Sequence, residues 1–138
     1  MGSKRVLKCS QCGYEFQFSE GQGFFDYCES GRRKSKELIL SGVLGKELKQ
    51  ALEKFPHLTI YRSSVLFYCR ECSRYESGSI YKLFELETDF TSKALIVSKH
   101  ICRRCKKEME YIENVCRKNV SCPRCQSTMR SYVVGCWD

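Results

Sequence analysis

The sequence has no apolar run that approaches the ~18 residues a helix needs to cross a bilayer. Its opening residues, MGSKRVLKCSQCG, lack the apolar core of a signal peptide. Val6 stands where an N-myristoylation motif requires Ser or Thr. We therefore expect a cytoplasmic protein that has no membrane partner.

Histidine is scarce, because His57 and His100 are the only two in 138 residues. A deaminase motif places Glu two residues after a His ligand, and Cys102 occupies that place after His100. The stretch EGQG lacks the Gly-Lys-Ser/Thr ending of a phosphate-binding loop. With no nucleophile and base at a recognisable spacing, we infer no small-molecule substrate and expect a protein that is not an enzyme. His100 could instead donate a hydrogen bond to a nearby thiolate.

Cysteine is abundant, with eleven residues, and eight of them form four Cys-x-x-Cys pairs. We call these pairs, in chain order, the first to fourth knuckles: Cys9 and Cys12, Cys69 and Cys72, Cys102 and Cys105, Cys122 and Cys125. Each knuckle holds two thiolates on a tight turn, which is half of a tetrahedral metal site. The eight sulfurs predict two zinc sites, with iron in one or both as the alternative. A secreted disulfide framework is the other interpretation, and the odd count and the paired spacing favour metal over it.

The four knuckles can pair in more than one way. Sixteen residues separate the third knuckle from the fourth, which lies within the spacing typical of a zinc site built from two knuckles. This spacing favours pairing the third with the fourth, and the first with the second. The competing arrangement pairs the second with the third across 29 residues and the first with the fourth across nearly the whole chain. Loop closure disfavours that longer ring only mildly.

The residues around the first knuckle predict a strand, a metal-binding turn and a return strand. Gly13 follows the second cysteine and would permit a positive φ there. Residues 35–55 predict two short helices, with Ser35 as the first N-cap. In the second helix Leu48, Leu52 and Phe55 recur at the spacing of one apolar face.

These elements predict a small metal-stabilised α+β fold. It would contain two zinc-ribbon β-hairpin units, with a short helical-hairpin insertion in the first. The predicted domains are an N-terminal ribbon at 1–98, with its insertion at about 35–55, and a C-terminal ribbon at 99–138. Because a chain this small has a thin apolar core, we expect the metal to supply part of the folding free energy.

Paired knuckles on β-hairpins resemble the zinc-ribbon and rubredoxin-like folds. More closely, the segments KCSQCGYEF and LFYCREC, the helical hairpin, the late double knuckle and the terminal CWD resemble a family of uncharacterised bacterial double zinc-ribbon proteins. The resemblance covers most of the chain and implies metal binding in a cytoplasmic setting, with no known activity. CSQCGY and CPRC also resemble the two knuckles of rubredoxin, an iron electron carrier. Here they lie far apart, and Gln126 stands where rubredoxin usually has Gly.

The formal charge of +8 counts every cysteine as neutral. Two divalent ions, each held by four thiolates, would lower it to about +4. The basic residues are concentrated between Lys99 and Arg130, a segment that contains nine basic and three acidic residues. Tyr111 and Tyr132 are interleaved with these basic residues, and this combination predicts a surface that contacts nucleic acid. The predicted contact residues are Arg103, Arg104, Lys106, Lys107, Arg117, Lys118, Arg124 and Arg130.

Two functions follow from these observations. The first is a non-catalytic, zinc-binding module that contacts nucleic acid or a protein partner. The alternative is a rubredoxin-like protein that uses iron or a reactive thiol for redox chemistry. Cys28, Cys116 and Cys136 remain outside the knuckles, and we predict that they are small buried hydrophobic residues, with a nucleophile or a third metal site as the other interpretation.

Overall fold

The computed structural model describes residues 2–85 and 93–138. The strands in these residues are β1 (Gly2–Lys8), β2 (Glu15–Gly21), β3 (Thr59–Cys69), β4 (Arg74–Phe84), β5 (Ile96–Val97), β6 (His100–Ile101), β7 (Glu108–Ile112), β8 (Val120–Ser121) and β9 (Thr128–Trp137). The helices are α1 (Phe24–Tyr27), α2 (Glu29–Leu40) and α3 (Lys46–Lys54), and Val115–Arg117 form a 3₁₀ turn. The fold is a small α+β structure, as the sequence predicted, and its sheet is mostly antiparallel.

The chain is grouped into two compact units. Unit 1 comprises Met1–Gly21, Ser64–Gly78 and His100–Asp138, and unit 2 comprises Gln22–Ser63 and Ser79–Lys99. Both units are discontinuous in sequence, and β3 and β4 each contribute residues to both. The predicted division into an N-terminal ribbon at 1–98 and a C-terminal ribbon at 99–138 stays a prediction.

In unit 1, β1 lies between β2 and β9 and is antiparallel to both. Leu7 pairs with Phe16 on one side and with Ser131 on the other. Because successive side chains of a strand point to opposite faces, Leu7 faces the core whereas Lys8 faces solvent. The predicted hairpin around the first knuckle is therefore confirmed. The buried core of unit 1 consists of Leu7, Cys9, Phe18, Leu66, Tyr75, Val115, Val120, Cys122 and Met129.

Strand β9 contains a β-bulge opposite β1. Lys4 pairs with Gly135 and Arg5 pairs with Val133, so Val134 is the extra residue on β9. Beyond the bulge the alternation is restored, and Trp137 lies opposite Gly2. Val134 is 57% exposed.

In unit 2, helix α2 begins at Glu29, and its N-cap is Cys28. The predicted cap at Ser35 is therefore wrong, because Ser35 is buried in the middle of the helix. The buried positions of α2 are Gly31, Ser35 and Ile39, spaced four residues apart. The first turns of this helix escaped prediction because their buried face is made of small residues rather than apolar ones. A side chain at Gly31 would collide with the backbone of Phe25, since its Cβ would lie 1.6 Å from that carbonyl oxygen.

Helix α3 buries Leu48 and Leu52, as its apolar spacing predicted. Phe55 is 43% exposed and does not continue that face. The chain leaves the helical conformation at Phe55, with φ at −128° and ψ at 80°, because Pro56 follows it. The core of unit 2 consists of Ile39, Leu48, Leu52, Leu58, Tyr81 and Leu83. No helix among the described residues has both the length and the apolar character that a membrane span requires.

Candidate metal centres

The eight knuckle sulfurs converge in two groups of four. Site A consists of Cys9, Cys12, Cys122 and Cys125, and site B consists of Cys69, Cys72, Cys102 and Cys105. Within each site all the Sγ atoms lie within 4.8 Å of one another. The first knuckle therefore pairs with the fourth and the second with the third, and the favoured pairing of sequence neighbours is wrong.

Strand pairing in unit 1 explains site A. The first knuckle follows β1, and the fourth lies between β8 and β9. Because β1 and β9 pair with Lys8 opposite Arg130, the two knuckles come together at the same end of the ribbon. Cys9 and Cys122 are buried in the core, whereas Cys12 and Cys125 are exposed.

Site B is assembled in the same way from other strands. The second knuckle joins β3 to β4, and the third lies between β6 and β7. Strand β7 pairs with both β6 and β3, with Tyr68 opposite Glu110. The third knuckle is thereby held beside the second. The spacing rule failed because sheet register, which the spacing does not report, decides which knuckles meet.

The knuckles share one turn geometry. At the first knuckle the Cys9 N–H donates to the Tyr14 carbonyl at 2.9 Å, and the Gly13 N–H donates to the Cys9 carbonyl at 3.1 Å. The third and fourth knuckles repeat this pair of bonds at 2.8 and 2.9 Å. The residue after the second cysteine has a positive φ in all four knuckles: Gly13 at 77°, Ser73 at 49°, Lys106 at 63° and Gln126 at 67°. The positive φ expected at Gly13 is confirmed. The positive φ of the other three residues could have been predicted as well, because each occupies the same position in its knuckle.

The sulfur geometry fits a tetrahedral metal ion. A Zn–S bond of about 2.3 Å places the four sulfurs of a tetrahedral site about 3.8 Å apart. In site A the Cys9–Cys125 and Cys12–Cys122 sulfur pairs are 3.4 Å apart, and in site B the Cys69–Cys105 pair is 3.5 Å apart. These distances far exceed the length of a disulfide bond, about 2.05 Å, and all eleven cysteines are free thiols. Four thiolates suit zinc, and they also suit iron.

Hydrogen bonds prepare some of these sulfurs to be thiolates. The Ser127 hydroxyl and N–H lower the pKa of the Cys125 thiol to about 6. At site B, the backbone N–H of Cys105 and that of Arg104 contribute to lowering the pKa of Cys102 to about 7.

The pKa values of two other sulfurs are raised. Desolvation and the neighbouring sulfur of Cys105 raise the pKa of Cys72 to about 12. At Cys12 the Tyr14 N–H lowers the pKa, but the Cys122 sulfur and desolvation outweigh it and raise the value to about 12. A bound divalent cation deprotonates its thiol ligands, so it would make all four sulfurs of a site equivalent in charge.

A buried carboxylate braces the third knuckle. Glu76 Oε2 lies 2.7 Å from His100 Nε2, so this ring nitrogen pairs with a carboxylate rather than with a sulfur. The His100 ring also stacks on Phe67, with ring centroids 4.1 Å apart. Burial raises the pKa of Glu76, but hydrogen bonds from His100 and from the Arg103 N–H, with nearby positive charge, outweigh it and hold the pKa below its usual value. Glu76 therefore holds residues on both sides of Cys102, and no sequence motif marks it.

The three remaining cysteines are not buried. Cys116 and Cys136 are exposed and Cys28 is partly exposed, so the prediction that they fill the core is wrong. Cys28 is the N-cap of α2, Cys116 lies in the 3₁₀ turn, and Cys136 is the last residue but one of β9. The Cys28 sulfur lies 3.3 Å from the Ser30 hydroxyl, and this contact contributes most to lowering the pKa of Cys28.

The eight predicted basic residues are all exposed on unit 1. Four of them, Arg103, Arg104, Lys106 and Lys107, lie in or beside the third knuckle of site B. Arg117 and Lys118 lie at or beside the 3₁₀ turn, Arg124 in the fourth knuckle of site A, and Arg130 on β9. Some have partners within the chain: Arg124 lies over the Tyr14 ring at 5.4 Å, and Lys107 pairs with Glu71 at 3.2 Å. The basic residues therefore surround both metal sites instead of one ribbon, and contact with nucleic acid stays a prediction.

Two four-cysteine groups held on β-hairpin turns define a metal-binding protein with a zinc-ribbon-like arrangement. No protein family matches the chain, and no curated protein or solved structure matches it either. The assignment to this class therefore rests on the positions of the eight sulfurs.

Proposed function

We propose that this chain is a non-catalytic zinc protein whose two ribbon-like sites hold a surface that binds nucleic acid. The observation that carries the proposal is the convergence of eight thiols into two groups of four. Four protein ligands fill the tetrahedral shell of zinc, so neither site keeps an open position for a substrate or a water. The metal then serves folding, and the function belongs to the surface of the protein.

The basic residues of unit 1 support nucleic acid as the partner. The eight residues predicted to contact it are exposed and surround both metal sites. Some of this charge offsets the −2 that each four-thiolate zinc site carries, and the remainder is available to phosphates. We place the protein in the cytoplasm, where reducing conditions keep free thiols available to metal. The resemblance to bacterial double zinc-ribbon proteins agrees with metal binding in the cytoplasm and implies no activity.

Metal analysis of the purified native protein tests the first half of the proposal. We expect two zinc ions per chain and a colourless solution, whereas iron in a four-sulfur site is coloured and would support the redox alternative. Removing the metal with a chelator should abolish the tertiary structure, because the metal supplies folding free energy. A cooperative thermal transition in the metal-free protein would contradict that role.

Charge neutralisation tests the second half. A variant in which Arg103, Arg104, Lys106 and Lys107 are all replaced by Gln should bind nucleic acid more weakly and with a smaller salt dependence. The matched control makes the same change in charge on unit 2, at Arg32, Arg33, Lys34 and Lys36. Equal losses in the two variants would mean that the net charge of the protein governs binding. No binding by the wild type at low salt would refute nucleic acid as the partner.

A protein partner is the second candidate, and one observation favours it. Three of the four residues of helix α1 are exposed aromatic residues, Phe24 at 69%, Phe25 at 48% and Tyr27 at 51%. Clustered exposed aromatic residues are typical of protein interfaces. Replacing Phe24 and Phe25 with Ser should weaken binding to such a partner and leave nucleic-acid binding unchanged.

A further inference from the structure

The β2–β1–β9 ribbon of unit 1 has one face against the core and a second face on the opposite side. Lys8 and Lys4 are exposed on this second face, and alternation also places Val6 there, where neighbouring side chains leave it only 4% exposed. Their cross-strand partners share that face, so it also carries Gln17 of β2 and Tyr132 of β9. We call this surface the outer ribbon face. A shallow cleft of about 470 Å³ lies at the knuckle end of this face, and its lining includes Lys8, Glu15, Arg130 and Tyr132.

Two aromatic side chains lie on the outer ribbon face. Tyr132 is 48% exposed and stands opposite Val6. Trp137 stands opposite Gly2, and a Cβ at Gly2 would lie 2.1 Å from the indole ring. The indole therefore lies directly over the backbone of β1, in space that only glycine leaves open. The two positions are four residues apart along β1, which is about 14 Å at ~3.4 Å per residue.

The charge of this face is positive. Lys4, Lys8 and Arg130 are exposed on it, and one acidic residue, Glu15, lies beside Lys8 at 3.5 Å. The register places Lys8 opposite Arg130. Lys4 lies midway along β1 between Gly2, which is opposite Trp137, and Val6, which is opposite Tyr132. Aromatic platforms separated by basic side chains on an open sheet are the arrangement with which sheet proteins bind unpaired bases and their phosphates.

We propose that the outer ribbon face binds single-stranded nucleic acid, with bases stacked on Tyr132 and Trp137 and phosphates held by Lys4, Lys8 and Arg130. This inference rests on the proposed function, and it adds that the strand is unpaired and that its bases stack on a defined surface beside the basic residues of the two sites. Single strands fit this face better than duplexes do, because the bases of a duplex are stacked on one another and cannot reach an aromatic side chain. Of the residues predicted from the sequence to contact nucleic acid, Arg130 is the member that lies here.

The chain contains one tryptophan, so its fluorescence reports directly on this face. Titration of the metal-loaded protein with oligothymidylate or oligouridylate at low salt should quench Trp137 emission, and the same length of duplex should quench it far less. Tyr132→Ala should weaken single-strand binding about tenfold, within the range of one lost base stack. Tyr132→Phe should restore it, because stacking needs the ring and not the hydroxyl. The matched control is Tyr27→Ala, which removes a tyrosine of similar exposure from unit 2 and should leave affinity unchanged.

Replacing Lys4, Lys8 and Arg130 by Gln should lower the salt dependence of binding, by about 2 in the slope of log affinity against log salt. Each variant should keep its metal content and its thermal transition, since all these side chains are exposed. Equal binding of a single strand to the Tyr132→Ala variant, with Trp137 emission unchanged, would refute the outer ribbon face as the binding surface. That result would leave the proposed function standing. Equal affinity for the duplex would overturn the stacking of bases. Failure to bind any oligonucleotide at low salt would overturn both proposals and leave the protein partner.

Discussion

The pairing of knuckles can be tested by removing sulfurs four at a time. One variant replaces the first and fourth knuckles with serine, and the other replaces the third and fourth. Both variants lose four sulfurs, so they match in composition. The structure predicts opposite results, because the first variant loses all of site A and keeps site B whole, whereas the second loses half of each site.

The expected stoichiometry follows directly from these positions. The variant without the first and fourth knuckles should retain one tightly bound zinc ion per chain. The variant without the third and fourth should retain none, because each site keeps only two sulfurs. A complete structural zinc site is worth about 10–16 kcal/mol at neutral pH, so a whole site resists a competing chelator that strips a half site. Native mass spectrometry at a fixed free zinc concentration gives the count.

The wild-type protein supplies an assay that does not depend on the variants folding. In the cadmium-substituted protein, scalar couplings connect each metal nucleus to the β protons of its own cysteines. One cadmium should couple to Cys9, Cys12, Cys122 and Cys125, and the other to the remaining knuckles. A cadmium that couples to both Cys102 and Cys122 would refute the pairing, as would a bound ion in the variant that lacks the third and fourth knuckles.

Three further predictions concern the residues around the sulfurs. Gly13→Ala should lower the free energy of unfolding by about 1 kcal/mol, and Gln126→Gly should raise it by up to about 1 kcal/mol. A left-handed conformation costs a non-glycine residue about 1–2 kcal/mol, and the greater entropy of glycine in the unfolded chain offsets only part of that difference. Tyr75→Phe should lower it by about 1 kcal/mol, since the Tyr75 hydroxyl donates to the Ser121 carbonyl at 2.7 Å beside site A. Glu76→Gln should weaken zinc binding at site B up to about tenfold and leave site A unchanged, because the carboxylate braces the residues on both sides of Cys102. Denaturant unfolding at fixed free zinc measures the first two predictions, and chelator competition measures the third.

Each of these predictions has an outcome that contradicts it. A destabilised Gln126→Gly protein would show that the glutamine side chain contributes more than its backbone conformation costs, and Lys106→Gly then tests the same rule at site B. An unchanged Tyr75→Phe protein would mean that water replaces the phenol as donor to the Ser121 carbonyl. Equal weakening of the two sites by Glu76→Gln would indicate a general loss of stability, since site A serves as the control within the same molecule.

The ligands and the first two strands were predictable because local patterns encode them. The Cys-x-x-Cys spacing identified all eight clustered sulfurs, and the alternation around the first knuckle identified β1 and β2. The chain also folds back at Gly13 with the positive φ that its glycine suggested. Each of these features depends on a few consecutive residues.

The features that escaped prediction depend on distant residues. The partner of the first knuckle is decided by the pairing of β1 with β9, and the sequence near Cys9 contains nothing that specifies this register. The start of α2 was missed because its packing uses glycine and serine against a neighbouring backbone. The exposure of Cys28 depends on its place as an N-cap, which follows from the same missed helix start. Long-range contacts and close backbone approaches leave weak traces in local composition.

The two metal sites are nested along the chain, and this order bears on how the protein acquires its metal during synthesis. Site B joins knuckles whose paired cysteines are 36 residues apart, and it lies inside the interval of 116 residues that site A closes. Closing the longer ring costs about 1 kcal/mol more in loop entropy. Once site B has bound its metal, however, Cys69 is held beside Cys105, and the loop that site A must close is shorter. A chain emerging from the ribosome presents all four sulfurs of site B before it presents Cys122. Zinc should therefore bind site B first. Site A should form afterwards, and its metal then links the knuckle that follows β1 to the knuckle that precedes β9.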